Sequence, residues 1–284
     1  MKLTSFIKDG KATYGGVSND RMVDLSPKFG SHYPDLKALI GGGGQVGLAP
    51  FIATGRDWMP LQVAEFLPVI PNPSKIICVG INYADHQKEM GRTKAEYPTI
   101  FLRYADTLVG HGQAAWIPKV STRVDYECEL AVIIGKGGRY INAAQAMDHV
   151  AGYTCFNDIS IRDWQNHTSQ FIPGKNFPRT GPLGPWMVTK DEIPDPHALA
   201  IRTRLNGQVL QDGNTEQLIF RIPALIEYIS AFTPLAPGDV IATGTPSGVG
   251  FARKPPVFMK AGDVVEVEIE GIGVLSNRME PDPT

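Results

Sequence analysis

The sequence predicts a mixed α+β fold in which β-sheet dominates. The 30 glycines and 23 prolines among 284 residues exceed average usage, which indicates many turns and short strands rather than a helical bundle. Short apolar runs such as "KIICVGIN" have the length of buried strands. Asn206-Gly207, between two alternating runs, is a hairpin signal. Scattered helical segments complete a fold built on sheet.

The first part of the chain predicts a small N-terminal α/β domain. Residues 1–30 are typical of short strands broken by turns, and "PDLKALI" and "LAPFIATG" then favour two short helices. The Pro-rich stretch "PVIPNPSK" at 68–75 interrupts regular structure. We therefore expect a small domain over 1–70 and a catalytic domain over 71–284.

The helices and strands of the second domain are predicted from its apolar runs and from the turn and cap residues between them. "KIICVGIN" predicts a strand, "YADHQKEMG" a brief helix and "VDYECELAVII" a strand that becomes fully apolar. "NAAQAMDHV" favours a helix with an Asn cap, and "NHTSQFIPGKNFPRTGPLGPW" a long loop. "PALIEYISAF" predicts a helix, and "DVIATGTPSGVG" and "DVVEVEIEGIGVLSNRM" predict the closing strands.

Composition restricts the partners and the compartment. Lys+Arg 27 against Asp+Glu 29 and a formal net charge of −2 offer no electrostatic case for nucleic acid or an anionic membrane. The segment "MKLTSFIKDGKATYGG" lacks the apolar core of a signal peptide, and no apolar run approaches the ~20 residues that cross a bilayer. Cys78, Cys128 and Cys155 are widely spaced, which favours buried thiols. We expect a cytoplasmic protein.

The stretch "VDYECELAVII" places acids unusually close together. In a strand, Asp125, Glu127 and Glu129 share one face, with neighbours roughly 7 Å apart. Two like charges at that distance repel by about 2 kcal/mol at an effective dielectric near 20. A hard divalent cation removes this repulsion, and Asp158 in "FNDIS" is a further oxygen ligand. The alternative is a solvated strand face, and Asp125 is compatible with such a surface position.

Two further segments carry catalytic side-chain types. His86 and Glu89 are spaced i, i+3, so they are neighbours on one helix face, where the carboxylate orients the imidazole to take a proton. Lys175 lies in a Pro/Gly-rich loop and is a cation for developing negative charge. Arg162 and Gln165 fit one helical turn after "FNDIS". The alternatives are a surface polar pair and a solvated lysine.

Two glycine-rich stretches do not predict nucleotide binding. "GKGGRY" at 135–140 has Tyr140 where G-x-G-x-x-G requires its third glycine. "GTPSGVG" at 244–250 lacks the Gly-Lys-Ser/Thr ending of a phosphate loop. Tight turns account for both.

Five motifs, taken in order, resemble the fumarylacetoacetate hydrolase family: "VGINYADHQKEMG", "DYECELAVIIGKGGRYI", "GYTCFNDISIRDWQ", "GKNF…GPLGPW" and "GDVIATGTPSGVG". The similarity covers roughly Lys75 to Met279 and implies a mixed β-roll catalytic domain, usually in a homodimer. It implies that Glu127, Glu129 and Asp158 bind Mg²⁺, or Mn²⁺ or Ca²⁺. It also implies a water-activating pair of His86 and Glu89, a catalytic Lys175, and a substrate site lined by Arg162, Gln165 and Thr245.

One departure from the family pattern concerns the strand before the acids. Many members read F-L-K-P where this chain has "FLRY", with Arg103 and Tyr104. Arginine keeps the positive charge and adds a fork suited to carboxylates. We therefore add Arg103 to the expected substrate-binding set, at the far end of the substrate.

The resemblance implies hydrolysis of a carbon–carbon bond in a 2,4-dioxo acid, either an acylpyruvate or a 2,4-diketo-3-deoxy sugar acid. The products would be pyruvate or a related 2-oxo acid and a second carboxylic acid. Alternatives with the same metal site are decarboxylation or keto–enol isomerisation of oxaloacetate-like acids, isomerisation of hydroxy-diene-dioates, and C–N lysis of ureidoglycolate. A non-catalytic protein that binds small 2-oxo acids is a further alternative, which turnover of any substrate excludes.

Overall fold

The computed structural model describes residues 1–55, 58–91, 93 and 95–284. Its strands, numbered along the chain, are β1 (Lys2–Lys8), β2 (Lys11–Ser18), β3 (Arg21–Asp24), β4 (Trp58–Pro60), β5 (Glu65–Phe66), β6 (Ile76–Gly80), β7 (Thr99–Arg103), β8 (Leu108–Val109), β9 (Ala115–Ile117), β10 (Val124–Asp125), β11 (Cys128–Ile134), β12 (Val150–Asn157), β13 (Ser160–Ile161), β14 (Gly181–Thr189), β15 (Ala200–Leu205), β16 (Gln208–Asn214), β17 (Val240–Ala242), β18 (Val264–Ile269) and β19 (Gly273–Pro281).

Helices are few and mostly short. The α-helices are α1 (Ser26–Phe29), α2 (Leu36–Gly41), α3 (Leu48–Ala53), α4 (Ala84–Glu89), α5 (Arg162–Gln165), α6 (Ile172–Lys175) and α7 (Ile222–Phe232). Single 3₁₀ turns or runs lie at Leu61–Val63, Ala105–Thr107, Ala143–His149, Lys190–Glu192, Thr215–Gln217 and Gly250–Ala252. Among the described residues, no helix combines the length and the apolar character needed to span a bilayer.

A large mixed sheet forms the centre of the protein. Its main path runs β4-β3-β2-β1-β14-β12-β11-β17-β6-β7, with β5 added on β1 and β8 on β14. The apolar run of β11 is buried at every position because β12 and β17 flank it and other elements cover both faces. A second sheet, β16-β15-β18-β19-β9, packs over β11 and β12, and α7 joins the same core. The α+β prediction is confirmed, and sheet dominates.

The N-terminal strands continue the central sheet. β1 pairs with β14, with Leu3 opposite Met187. Leu3 and Met187 are both buried in one apolar cluster that also takes in Leu36 and Leu39 of α2. The division of the chain at residue 70 stays a prediction.

The hairpin signal is confirmed. Asn206 and Gly207 have φ of 51° and 81° and join β15 to β16. Two positive φ values in a row match the twist of the flanking strands, and Asn and Gly are the residues that accept them most readily.

Three expectations about local structure differ from what the structure has. The acidic stretch is two strands, β10 and β11, and the ladder is interrupted at Tyr126 and Glu127. Ala143–His149 is 3₁₀ rather than α, with the Asn142 side chain accepting the Ala144 N–H as the expected cap. The expected loop contains the short helix α6, and its "GPLGPW" end is part of strand β14, because pairing with β8 and β12 outweighs its Pro-rich composition.

Candidate active site

The pairing of β11 with β12 brings the three expected metal ligands together. Cys128 lies opposite Asn157, so the start of β11 meets the end of β12. Two hydrogen bonds secure this junction: the backbone N–H of Asp158 donates to the Glu127 carbonyl at 3.0 Å, and the backbone N–H of Glu127 donates to the side-chain Oδ1 of Asn157 at 3.1 Å. One oxygen each of Glu127, Glu129 and Asp158 lies within 4.8 Å of the others, and all three side chains are buried.

Lys175 reaches this acid cluster from α6. Its Nζ lies 2.6 Å from Glu127 Oε2 and 2.5 Å from Asp158 Oδ2. Burial raises the pKa of Glu127, but the charges of Lys175 and then Arg162 outweigh it and hold that pKa at about 2. Burial lowers the pKa of Lys175, and the carboxylates of Asp158 and Glu127 reverse this and raise it. The lysine is therefore a charged part of the cluster rather than a solvated loop residue.

A glycine before this lysine is needed for the approach of α6. A Cβ at Gly174 would lie 2.4 Å from the backbone nitrogen of Gln165 in α5. No side chain fits there without separating the two helices, so the Pro-Gly-Lys sequence lets α6 lie directly on α5. The sequence analysis named Lys175 but did not predict this contact.

Glu129 is the least compensated of the three acids. Its Oε2 accepts the N–H of Gly244 at 2.9 Å, and across residues 1–55, 58–91, 93 and 95–284 no cation lies within 4.0 Å of it. Burial, followed by the charges of Asp158 and Glu127, raises its pKa well above the usual range. A buried carboxylate with a single neutral donor is costly unless a cation joins it.

The whole cluster carries more negative than positive charge. Among the described residues, four buried carboxylates, Asp125, Glu127, Glu129 and Asp158, face three buried cations, Arg103, Arg162 and Lys175. One negative charge is left, and the ligand atoms are all oxygen. This donor set fits a hard divalent cation such as Mg²⁺ or Mn²⁺.

The expected His–Glu pair forms in α4. His86 Nδ1 lies 2.8 Å from Glu89 Oε2. Because a carboxylate only accepts, Nδ1 carries the proton, and the lone pair of Nε2 is left for chemistry. Glu89 Oε1 also accepts the N–H of Gly248 at 2.9 Å, which fixes the carboxylate that orients the ring. His86 is buried and lines the same pocket as the three acids.

Three of the four residues expected to bind substrate also line this pocket: Arg162, Gln165 and Thr245. Arg162 Nη1 donates to Gln165 Oε1 at 2.9 Å, so the two side chains act together. Thr245 Oγ1 accepts from Gln211 Nε2 at 2.8 Å. Their placement is compatible with substrate contact, which stays a prediction.

Arg103 lies elsewhere. Its side chain is fully enclosed and does not line the pocket, in contrast to the expected place at the far end of the substrate. Nη1 donates to Asp158 Oδ1 at 2.6 Å, and Nη2 donates to Thr180 Oγ1 at 2.7 Å. The inward face of β7 places Phe101 at the pocket and Arg103 two residues further on, behind Asp158. Arg103 thus supports Asp158, one of the three expected metal ligands.

Replacing Arg103 by Lys will weaken binding of Mn²⁺ by roughly 10-fold or more, the usual effect of losing a partner behind a metal ligand. Lysine keeps the charge but cannot reach Asp158 and Thr180 together as the fork does. Calorimetric titration with Mn²⁺ measures the effect. Arg202→Lys, in an exposed pair with Asp212, is the matched control and will leave the affinity unchanged. Equal affinities in both variants would remove Arg103 from the support of the site.

The pocket also has an apolar wall that the sequence analysis missed. It is formed by Val79, Ile81, Met90, Phe101, Phe171 and Phe251. Three of them, Val79, Phe101 and Phe171, pack in the apolar clusters of the core, so in the sequence they are indistinguishable from ordinary core residues. The free volume is ≈ 70 Å³. On the measure by which one water takes roughly 10–15 Å³, this is room for about five waters, the scale of a small acid.

Fold and pocket together define an enzyme-like site in which an oxygen-only acid cluster faces a histidine base. The chain belongs to the fumarylacetoacetate hydrolase family, because the family profile described as fumarylacetoacetate (FAA) hydrolase C-terminal matches residues 75–280. The predicted family is therefore confirmed.

One named relative and two solved structures show which proteins of the family this chain is similar to. The mitochondrial oxaloacetate tautomerase FAHD2A of Bos taurus is 47% identical over 230 residues, which are 80% of this chain and 73% of that protein. The structure of a fumarylacetoacetate hydrolase from Exiguobacterium antarcticum matches with a TM-score of 0.89 at 35% identity, over 99% of this chain and 100% of that one. Maleylpyruvate hydrolase from Sphingobium sp. SYK-6, in complex with manganese(II) and pyruvate, matches with a TM-score of 0.83 at 30% identity, over 99% of each chain.

Proposed function

We propose that this protein is a divalent-metal-dependent tautomerase that interconverts the keto and enol forms of oxaloacetate or a closely similar 2-oxo acid. The geometry that carries the proposal is one small pocket in which His86, held by Glu89, faces Glu127, Glu129 and Asp158. The substrate class rests on the 47% identity to the bovine oxaloacetate tautomerase. The sequence analysis placed hydrolysis first and isomerisation among the alternatives, and this relative favours the isomerisation.

The metal fits the acid cluster, and the fit is stronger for a hard cation than for a soft one. Mg²⁺ was the sequence-based expectation, with Mn²⁺ or Ca²⁺ as alternatives, and the manganese(II) in the Sphingobium maleylpyruvate hydrolase supports Mn²⁺ as a working probe. A divalent cation held by Glu127, Glu129 and Asp158 would supply Lewis acidity that stabilises negative charge on the substrate oxygens.

His86 is the group that moves the proton. Its Nε2 takes a proton from C3 of the keto acid, the C3–H electron pair forms the C2=C3 bond, and the carbonyl pair moves to the O2 oxygen. Returning that proton to O2 completes the enol, and the reverse sequence restores the keto form. Glu89 stabilises the positive imidazole that exists between the two transfers, because its Oε2 accepts from Nδ1. Lys175 adds fixed positive charge beside the developing enolate.

Carbon–carbon hydrolysis is the second candidate, supported by the Sphingobium maleylpyruvate hydrolase at 30% identity. It requires His86 to activate a water rather than to remove a carbon-bound proton. The two reactions differ in their products: tautomerisation releases no fragment, whereas hydrolysis releases two acids and decarboxylation releases CO₂.

The deciding experiment follows the ultraviolet absorbance of enol-oxaloacetate and analyses the products chromatographically. With Mn²⁺ or Mg²⁺, the protein will speed the keto–enol equilibration while no pyruvate appears above the uncatalysed background. Chelator will remove the effect, and added metal will restore it. Catalysed pyruvate release from oxaloacetate, or fragments from a panel of acylpyruvates with no effect on tautomerisation, would overturn the proposal. Activity that survives complete chelation would remove the metal from it.

The quaternary structure and the compartment stay predictions. A homodimer is testable by analytical ultracentrifugation of the purified chain, and a monomer at micromolar concentration would contradict it. The bovine relative is named as mitochondrial. The cytoplasmic expectation for this chain is testable by imaging a tagged protein in its native cell.

A further inference from the structure

Asp125 is a buried carboxylate that the proposed chemistry does not use. The sequence analysis allowed it a surface position, and the structure corrects this: its side chain is fully enclosed at the end of β10. It precedes the metal ligand Glu127 by two residues, but it is not among the acids that could share an ion. Its role has to come from its own contacts.

Each hydrogen-bonding partner of the Asp125 carboxylate in the described structure is a donor. Oδ1 accepts from the backbone N–H of Gly250 at 2.8 Å and from its neighbour Tyr126 at 2.9 Å. Oδ2 accepts from Arg162 Nε at 2.8 Å and from the N–H of Phe251 at 2.9 Å. An amide in either orientation would turn its NH₂ group toward donors. The position therefore requires a carboxylate, and not merely a polar side chain of this shape.

Arg162 connects this carboxylate to the metal ligands. Nε is bound by Asp125, and Nη2 lies 2.7 Å from Glu127 Oε1. With Asp125 as a partner, the Arg162 charge is shared between two acids. Without it, Glu127 would be the nearest remaining carboxylate for Arg162, and the arginine would compete more strongly with a cation for that ligand.

Asp125 also holds one end of the glycine-rich loop, defined as residues 245–251. Phe251 of this loop lines the pocket, and a Cβ at Gly250 would lie 2.7 Å from Asp125 Oδ1 and 1.8 Å from the carbonyl of Val257. The middle of the loop is bound by α4, where Asp85 Oδ2 accepts from Ser247 Oγ at 2.7 Å and Glu89 accepts from the N–H of Gly248. The loop thus joins Asp125 to the helix that carries His86.

We propose that Asp125 is a positioning residue that sets both halves of the site: Glu127 through Arg162, and the His86–Glu89 pair through the glycine-rich loop. The same carboxylate determines where the metal ligand and the base stand relative to each other. The kinetic part of this inference rests on the proposed tautomerase function, whereas its metal-binding and loop parts do not.

Asp125→Asn is the test variant. We expect the Kd for Mn²⁺ to rise roughly 10–100-fold and kcat for enol-oxaloacetate to fall by a similar factor, because partners behind a ligand act on both. Hydrogen exchange will speed up in a peptide covering residues 247–252, because Asn keeps a single acceptor oxygen and the N–H of either Gly250 or Phe251 loses its acceptor. Calorimetry with Mn²⁺ alone and exchange measured by mass spectrometry give the two readouts that need no substrate.

Asp239→Asn is the matched control. Asp239 is equally enclosed, pairs with Lys75 Nζ at 2.9 Å and accepts two backbone N–H groups, but it lies away from the pocket. We expect Asp239→Asn to lower the melting temperature while the affinity for Mn²⁺, kcat and the hydrogen exchange of the glycine-rich loop stay unchanged. A general loss of stability would affect both variants alike.

The results separate the two proposals. If the wild-type protein shows no tautomerase activity, the Mn²⁺ affinity and the loop exchange of Asp125→Asn still decide the role of Asp125. Unchanged Mn²⁺ affinity and unchanged loop exchange in a folded Asp125→Asn protein would overturn this inference. So would equal changes in Asp125→Asn and Asp239→Asn.

Discussion

Replacing Glu129 by Gln will raise the melting temperature of the metal-free protein and lower its affinity for Mn²⁺ by more than roughly 100-fold. This exceeds the roughly 10–100-fold loss of affinity that is typical when a residue behind a metal ligand is replaced. Within the described part of the chain, Glu129 is the one of the three expected ligands without a cation beside it, and it lies within 4.8 Å of the other two acids. Like charges repel by about 3.5 kcal/mol at that separation and an effective dielectric near 20, and burial together with the same repulsion raises the pKa of Glu129. Above that raised pKa, where Glu129 is charged, replacing it by the neutral Gln therefore stabilises the fold.

The opposite signs of these two effects make the test specific. Gln keeps the shape of the side chain and still accepts the Gly244 N–H, so a packing defect is not expected. Differential scanning calorimetry with chelator gives the stability, and titration with Mn²⁺ gives the affinity. Glu65→Gln, at an exposed position of β5, is the control and will change neither quantity. A lower melting temperature together with intact Mn²⁺ affinity would exclude Glu129 from a metal site.

Replacing His86 by Asn will reduce catalysed tautomerisation by about 10²–10⁴-fold, the usual contribution of a positioned general base. Asn has no group that takes a proton near neutral pH, while its side chain is small enough for the space of the ring. The affinity for Mn²⁺ will stay close to that of the wild type, because His86 is not among the three ligands. Stopped-flow absorbance of enol-oxaloacetate and calorimetry measure the two quantities.

His149→Asn is the control for this second variant. His149 is an ordinary structural histidine whose Nδ1 bonds to the carbonyl of Lys136 at 2.8 Å, and it does not line the pocket. Its replacement will leave tautomerisation unchanged. If His86→Asn retains full activity, another group must move the proton, and the base has to be sought among the remaining pocket residues.

Much of the site could be predicted because its signals are local. Spacing placed His86 and Glu89 on one helix face, and the structure has them 2.8 Å apart. The run of acids before an apolar strand pointed to a cation, with Asp158 as a further ligand and Lys175 as a nearby charge, and the ordered motifs gave these residues their expected roles. Strand patterns and the Asn-Gly turn likewise predicted β15 and β16, because side-chain alternation and turn geometry depend on neighbours in the chain.

The sequence by itself therefore determined the fold class, the family and the residue types of the acid cluster and the base. Only the tertiary structure decided what Arg103 and Asp125 do: one supports Asp158 from behind, and the other holds Arg162 and a loop more than 120 residues away in sequence. Whether a charged side chain such as Asp125 is buried depends on the strands and loops that pack against it, and these come from distant parts of the chain. Alternation along one strand separates its two faces, but it carries no information on which face meets donors, solvent or a ligand.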